Sequence, residues 1–462
     1  MCIRDSTGFG PTDAEVRAYA TLTRETAVAK LLREMRVSAL TSPPAALTDA
    51  TPVRLPKRET ASQAEREAFV QTQRQEGLAL RAWWVGEMLA TPSPLTERMT
   101  LFWHNHFVSG QPKVRVSRLM YRQNDTLRAN AAGNFGTLLH AIAKDPAMLV
   151  YLDSAQNRKG APNENFAREV MELFTLGEGR YTEQDVKEAA RAFTGWSLDR
   201  ETLSYVFRPR LHDAGMKTVL GTSGHLDGDA VLDLLLARPE TSQYVTAKLW
   251  REFVSPDPDA AEVTRIAARF RESGYDIKVA LRELLQSDAF YAAENRGVLV
   301  KSPMELVVGT LRSFGLRPDR TLPFALAAAG MGQNLMSPPN VKGWPGGETW
   351  INTATLLARK QFVDRLTRAD GMASVASSVA SSPAAMATAK TTPADRAIER
   401  GLSGIAFDSG AFLAQFPGAT PDERARWAER LLLPLAPQSS DSTADSLALV
   451  RGYVLDAAYQ LK

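Results

Sequence analysis

Asn163–Trp196 reads NENFAREVMELFTLGEGRYTEQDVKEAARAFTGW, and its spacing predicts two helices joined by a tight turn. Phe166, Val170 and Leu173 recur at helical intervals and form an apolar stripe, while Gly177 and Gly179 stop the first helix. Thr182 and Asp185 form a capping signal for the second, whose buried face is Val186, Ala189, Ala190 and Phe193. On a wheel of about 100° per residue, Arg168, Glu169 and Glu172 fall close to Asn165, along the rim of the apolar stripe. Lys187, Glu188 and Arg191 lie to one side of the second helix. A surface helix scatters its polar groups. A concentrated mixed stripe is either a binding site or a polar joint between helices.

The helical period extends in both directions. Asp13–Leu40 shows it before a Pro- and Thr-rich break at Thr41–Pro56, and Ser62–Leu89 shows it with Phe69, Leu78, Leu80, Trp83, Trp84 and Met88 on the apolar side. Ser302-Pro303-Met304-Glu305 is a capping box with proline in the first turn and predicts a helix over Pro303–Phe314. Between these, Tyr205-Val206-Phe207 and Thr218-Val219-Leu220 flank Asp213-Ala214-Gly215, which predicts a hairpin. The expected fold is mainly α, a multi-helix globular array with a small inserted β-hairpin near 204–221. One helical domain is expected over 7–370, with lobes 7–200 and 222–370 joined by that hairpin. An Ala/Ser/Thr-rich linker at 371–395 and C-terminal helices over 396–462, packing back on the domain, complete the expected organisation.

Lys and Arg number 55 against 52 Asp and Glu, so no electrostatic footprint for nucleic acid is present. No apolar run reaches the roughly 20 residues needed to span a bilayer. Met1–Ser6 reads as the translated end of a sequencing adapter on a metagenomic fragment. The natural start is then expected to be missing, and an export signal cannot be read. Cys2 falls within that stretch and no other cysteine follows, which removes disulfides, thiolate metal sites and cysteine nucleophiles.

The glutamates Glu169 and Glu172 suit acid/base work or ligation of a hard cation, with Arg168 holding an anionic group and Asn165 and Arg191 contacting substrate. The competing reading is that Arg168, Arg191 and the glutamates form an ion-pair joint. In Leu101–Phe107, His104 and His106 point about 200° apart on a helix, so they cannot share one ion. His106 follows Met99, Phe102 and Trp103 onto the core face, and His104 is expected at the periphery. His212 and Asp213 sit at the predicted hairpin turn, and His212 is a candidate second acid/base group or ligand. If His106, His212 and Asp213 meet, a divalent metal is the cofactor they would suit. Lys342 and Trp344, in the stiff loop Ser337–Trp350, are candidate pocket-lining residues. The chain has no HExxH, GxSxG, P-loop or GxGxxG motif, which disfavours the chemistries those motifs carry.

Six segments carry a family resemblance. They are Phe102–Phe107 (FWHNHF), Asn163–Trp196, Leu211–Gly221 (LHDAGMKTVLG), Lys248–Val254 (KLWREFV), Val300–Val307 (VKSPMELV) and Pro338–Ile351 (PPNVKGWPGGETWI). In these the chain closely resembles the bacterial domain of unknown function 1800 family, and the resemblance extends over nearly its whole length. No activity comes with it. It implies an extracytoplasmic setting, periplasmic or secreted. It also implies a partner encoded nearby, of the domain of unknown function 1501 family, which resembles sulfatases and alkaline phosphatases. The functional expectation is an exported protein with a polar Glu/Arg/Asn/His pocket, acting as a metal-assisted hydrolase of an envelope or extracellular substrate. The alternative is a non-catalytic accessory protein that docks the neighbour-encoded partner.

Overall fold

A capping box or a first-turn proline starts most of the helices that position the site. The computed structural model describes residues 7–49, 51–56, 59–199, 201–368, 398, 400–401, 405, 407–438 and 445–462. Residues 1–6 and the expected linker at 371–395 lie outside them. Helix α1 (Gln63–Ala90) begins at a complete capping box between Ser62 and Glu65, and Thr91 ends it. Helix α2 (Pro94–His106) follows with proline in its first turn, and α3 (Ser117–Ala129) packs against both. The opening hairpin is α4 (Asn165–Glu169), continued by a π-helical turn over Val170–Thr175, and α5 (Glu183–Ala192) behind its Thr182–Asp185 box. Helix α6 (Pro239–Phe253) and helix α7 (Pro303–Ser313, capped by Ser302 and Glu305) complete the frame around α2. The class is mainly α.

The inserted β structure consists of two strand pairs. β1 (Trp196–Leu198) pairs antiparallel with β2 (Tyr205–Phe207), and β3 (Lys217–Val219) with β4 (Thr222–Gly224). The two β-prone runs therefore do not pair with each other. Asp213-Ala214-Gly215 is not a hairpin turn because Asp213 is drawn to Arg191 on α5 and to Thr194.

Apolar residues gather in two cores. One joins Tyr19–Leu32 to Leu127–Phe290, and the other joins Leu80–Met120 to Met304–Tyr459, including Phe412, Leu432 and Val454 of the C-terminal segment. The cores therefore do not divide the chain at the β insert. Residues 80–120 pack with the C-terminal half, and α2 lies between the two. Leu95, Met99, Phe102 and Trp103 of α2 enter the first core, while Leu101 enters the second. His104 is consequently buried rather than peripheral, between the rings of Trp84 and Trp344. No described helix is long and apolar enough to cross a membrane.

A helix buried on every side must satisfy its charges inside the protein. Glu97 of α2 takes two bonds from Arg128 of α3, at 2.6 and 2.9 Å, and a third from Trp84 Nε1 at 2.8 Å. Arg128→Leu should cost about 3–5 kcal/mol in a denaturant titration, because it leaves a buried carboxylate without its counter-charge. The double variant Glu97→Gln/Arg128→Leu should recover a large part of that loss.

Candidate functional site

The polar face of the opening hairpin resolves into separate pairs. Arg168 of α4 holds Glu183 of α5 with two bonds of 2.7 and 2.8 Å and touches Glu164 at 3.3 Å. The Glu183 bonds and charge raise the Arg168 pKa further. Arg191 binds Glu188 and, at 2.8 Å, Asp213, which holds the Asp213 carboxyl down to about 2. Glu172 accepts a 2.6 Å bond from the Tyr181 hydroxyl. Glu169 is half-buried, and burial followed by the Glu172 charge pushes its pKa up. Asn165 reaches Asp153 at 3.5 Å. Arg168 and Arg191 thus tie α4 and the β insert to α5, in two joints rather than one network.

The same stretch contributes to a site through its backbone. In the π-helical turn the Leu176 amide reaches back five residues to the Met171 carbonyl, and the Gly177 amide turns to that same oxygen. The Leu173 and Phe174 carbonyls then meet side chains. Phe174 O lies 3.0 Å from His106 Nε2, and Leu173 O lies 3.4 Å from Lys248 Nζ. A carbonyl only accepts, so His106 Nε2 carries the proton and Nδ1 presents a lone pair. Lys248 Nζ, from α6, donates to that Nδ1 at 3.1 Å. Burial, then the Lys248 charge, keep His106 neutral, far below the usual histidine range. Burial, then Arg251, bring Lys248 down to about 8.

His106 and Lys248 line a cavity of about 390 Å³ between α2, α6, α7 and the loop after residue 330. Its wall collects four of the six family segments. Phe102, Asn105 and His106 come from the first, Lys248, Arg251 and Glu252 from the second, Val300, Ser302 and Glu305 from the third, and Lys342 to Trp350 from the last. Asn105 fixes the loop: its Oδ1 accepts from the Trp344 amide at 2.7 Å and its Nδ2 donates to the Trp344 carbonyl at 3.2 Å. A Cβ on Gly343 would come within 2.2 Å of Asn105 Oδ1, so only bare backbone with φ +83° docks there.

Charge on the wall is predominantly positive. Arg98, Lys248, Arg251, Lys342 and Lys462 face Glu252 and Glu305. Both carboxylates are already engaged. Arg98 forms ion pairs with Glu305 and with Glu252 (2.6 Å), close in distance but off hydrogen-bond alignment, and Lys462 meets Glu305 at 2.6 Å. Burial opposes ionisation of Glu305, but Arg98 and Lys462 outweigh it and hold the carboxyl at about 2.

Of the residues singled out from the sequence, His106, Lys342 and Trp344 line this cavity, and Lys342 also reaches Glu178 at 3.0 Å. Arg168, Glu169, Glu172, Asn165, Arg191, His212 and Asp213 do not line it. His212 donates through Nδ1 to the Thr194 carbonyl at 2.8 Å, and both ring nitrogens of His106 are engaged elsewhere. The metal set His106, His212 and Asp213 is not assembled. Among the described residues no group of three His, Cys, Asp or Glu is placed to hold a metal ion. Lys248, Arg251, Arg98, Glu252, Glu305 and Lys462 were not expected at a site. Lys248 and Glu252 stand four apart, which reads as an ordinary helix-surface ion pair, whereas the fold gives Glu252 to Arg98.

Two measurements check these assignments. Arg168→Gln should change stability by no more than about 1 kcal/mol, since its pairs are partly exposed. Burial holds His104 at about 4, against about 6.5 in an unfolded chain, so the unfolded state takes up the proton first as pH falls. The contribution present above pH 6.5 is then lost towards pH 4 at about 1.4 kcal/mol per pH unit. His104→Leu should therefore narrow the gap in urea midpoint between pH 7.5 and pH 5.

A family model described as "Protein of unknown function (DUF1800)" matches residues 3–450, a span that contains every segment of the cavity wall named above except Lys462. No curated protein and no solved structure matches the chain. With nearly its whole length covered, the chain belongs to the DUF1800 family of proteins of unknown function.

Proposed function

We propose that the chain is a hydrolase whose substrate occupies the cavity between the two cores, with Lys248 as the proton donor. The observation that carries this reading is the Lys248–His106 couple. A half-buried lysine with Nζ beside a neutral histidine, and with no carboxylate partner among the described residues, lines the cavity. Burial lowers its pKa to about 8, within the range in which an ammonium both holds a proton at neutral pH and gives it up readily. His106 acts by positioning. Its tautomer, set by the Phe174 carbonyl, keeps Nδ1 available to orient Lys248 Nζ. Phe102, Leu101, Trp344 and Trp350 on the same wall limit water around the reacting bond. The setting outside the cytoplasm, an envelope or extracellular substrate and a neighbour-encoded partner are proposed on the strength of the family resemblance.

The test is a panel of chromogenic esters and glycosides with the purified chain. Lys248→Met should reduce kcat/KM for any turned-over substrate by about 100-fold or more, the scale of a lost general acid, without lowering the melting temperature. Glu169→Gln, away from the cavity, should stay within about twofold of the parent by the same reasoning. Full activity in Lys248→Met, or no turnover across the panel, would refute the assignment.

A further inference from the structure

We infer that Lys248 and Arg251 form a subsite for a phosphate monoester dianion, so that the molecule entering the cavity carries a terminal phosphate. The inference deepens the proposed function and rests on its placing of the substrate in this cavity. The charges on the wall and the space beside them support it, together with the chemistry of the two donors.

Lys248 and Arg251 stand three apart on α6 and therefore share a face, and both line the cavity. Like charges at that spacing repel, and each would ordinarily be offset by a carboxylate. Among the described residues none is left to do so. Glu252 is taken by Arg98, and Glu305 by Arg98 and Lys462. Lys248 contacts His106 Nδ1, the Leu173 carbonyl and the face of Tyr244, none of which carries negative charge, and Arg251 is exposed to the cavity. Two uncompensated positive charges on one wall call for a ligand of two negative charges. A phosphate monoester supplies them at neutral pH, because its second ionisation lies near 6. A sulfate monoester or a carboxylate supplies one.

The donor types agree. A guanidinium offers a planar fork to two oxygens and an ammonium offers a point charge, a division of labour suited to a tetrahedral oxyanion. The volume also agrees. At about 390 Å³ the cavity exceeds an inorganic ion and falls in the range of organic ligands. Gly346 and Gly347 bound the same space, and a Cβ on either would meet nothing within 4 Å. The remainder of the ligand has room against that backbone.

The test is calorimetric titration of the whole chain with methyl phosphate, methyl sulfate and acetate at pH 7.5 in low salt. Methyl phosphate should bind saturably and at least tenfold more tightly than the two monoanions. Arg251→Gln and Lys248→Met should each weaken it at least tenfold, with unchanged melting curves. Arg265→Gln, on the outer surface, should leave it unaltered. Equal affinity for methyl sulfate, no saturable binding of methyl phosphate, or binding indifferent to both variants would overturn the inference. The two readings fail separately. Phosphate binding that depends on Arg251, in a protein that turns over nothing, would sustain the subsite and remove the hydrolase. Turnover of uncharged esters with no dependence on Arg251 would do the reverse.

Discussion

A polar group withdrawn from water must find its partner within the protein, and α2 is withdrawn on every side. Glu97, Arg98, His104, Asn105 and His106 lie along it, and most of its remaining residues belong to one core or the other. Four of these side chains therefore reach partners elsewhere in the chain. Glu97 holds Arg128, Arg98 holds Glu252 and Glu305, Asn105 holds the Trp344 loop, and His106 holds Phe174 and Lys248. The buried helix thus fixes the relative placement of α3, α6, α7 and the π-helical turn. The cavity is the space those placements leave.

The exception is His104, whose Nε2 is buried with no hydrogen-bond partner among the described residues, beside a Trp344 Nε1 in the same condition. Burial keeps the histidine neutral, which limits the cost to that of an unpaired dipole rather than an unpaired charge. Net charge on the cavity wall follows from the same rule. The two carboxylates are drawn to the most deeply buried cation, Arg98, where the electrostatic return is largest, and the shallower Lys248 and Arg251 go without.

The helices were legible because caps and apolar period are local. Thr182–Asp185 and Ser302–Glu305 each predict a start that the structure has, and the apolar period over Ser62–Leu89 places the long helix Gln63–Ala90. The β-prone runs were legible as strands but not in their pairing, which depends on the pull of Arg191 on Asp213 across 22 residues. The site was partly legible. His106 could be placed on a core face from spacing, and Lys342 and Trp344 could be placed on a stiff loop. Glu169 and Glu172 drew attention because side-chain chemistry is visible in a sequence and free carbonyls are not. That segment serves the cavity from behind its wall, through the Leu173 and Phe174 carbonyls that meet Lys248 and His106. Lys248 was hidden by its neighbour four residues on, since sequence spacing cannot show that Glu252 has a stronger claimant elsewhere.

The partners of α2 are spread unevenly along the chain, and this gives the molecule an order of assembly. Arg128 is 31 residues from Glu97, Phe174 is 68 from His106, Lys248 is 142 from His106, and the Trp344 loop is 239 from Asn105. Contacts at longer separation cost more chain entropy and close later. During synthesis from the N-terminus, α2 leaves the ribosome with Arg128 soon at hand, whereas Arg98, Asn105 and His106 wait for segments not yet made. Until then that half of α2 stays hydrated, and the apolar residues beside it stay open to unwanted association. That exposure runs from the emergence of α2 to that of the Trp344 loop, which closes most of the cavity wall, and Lys462 completes the wall last.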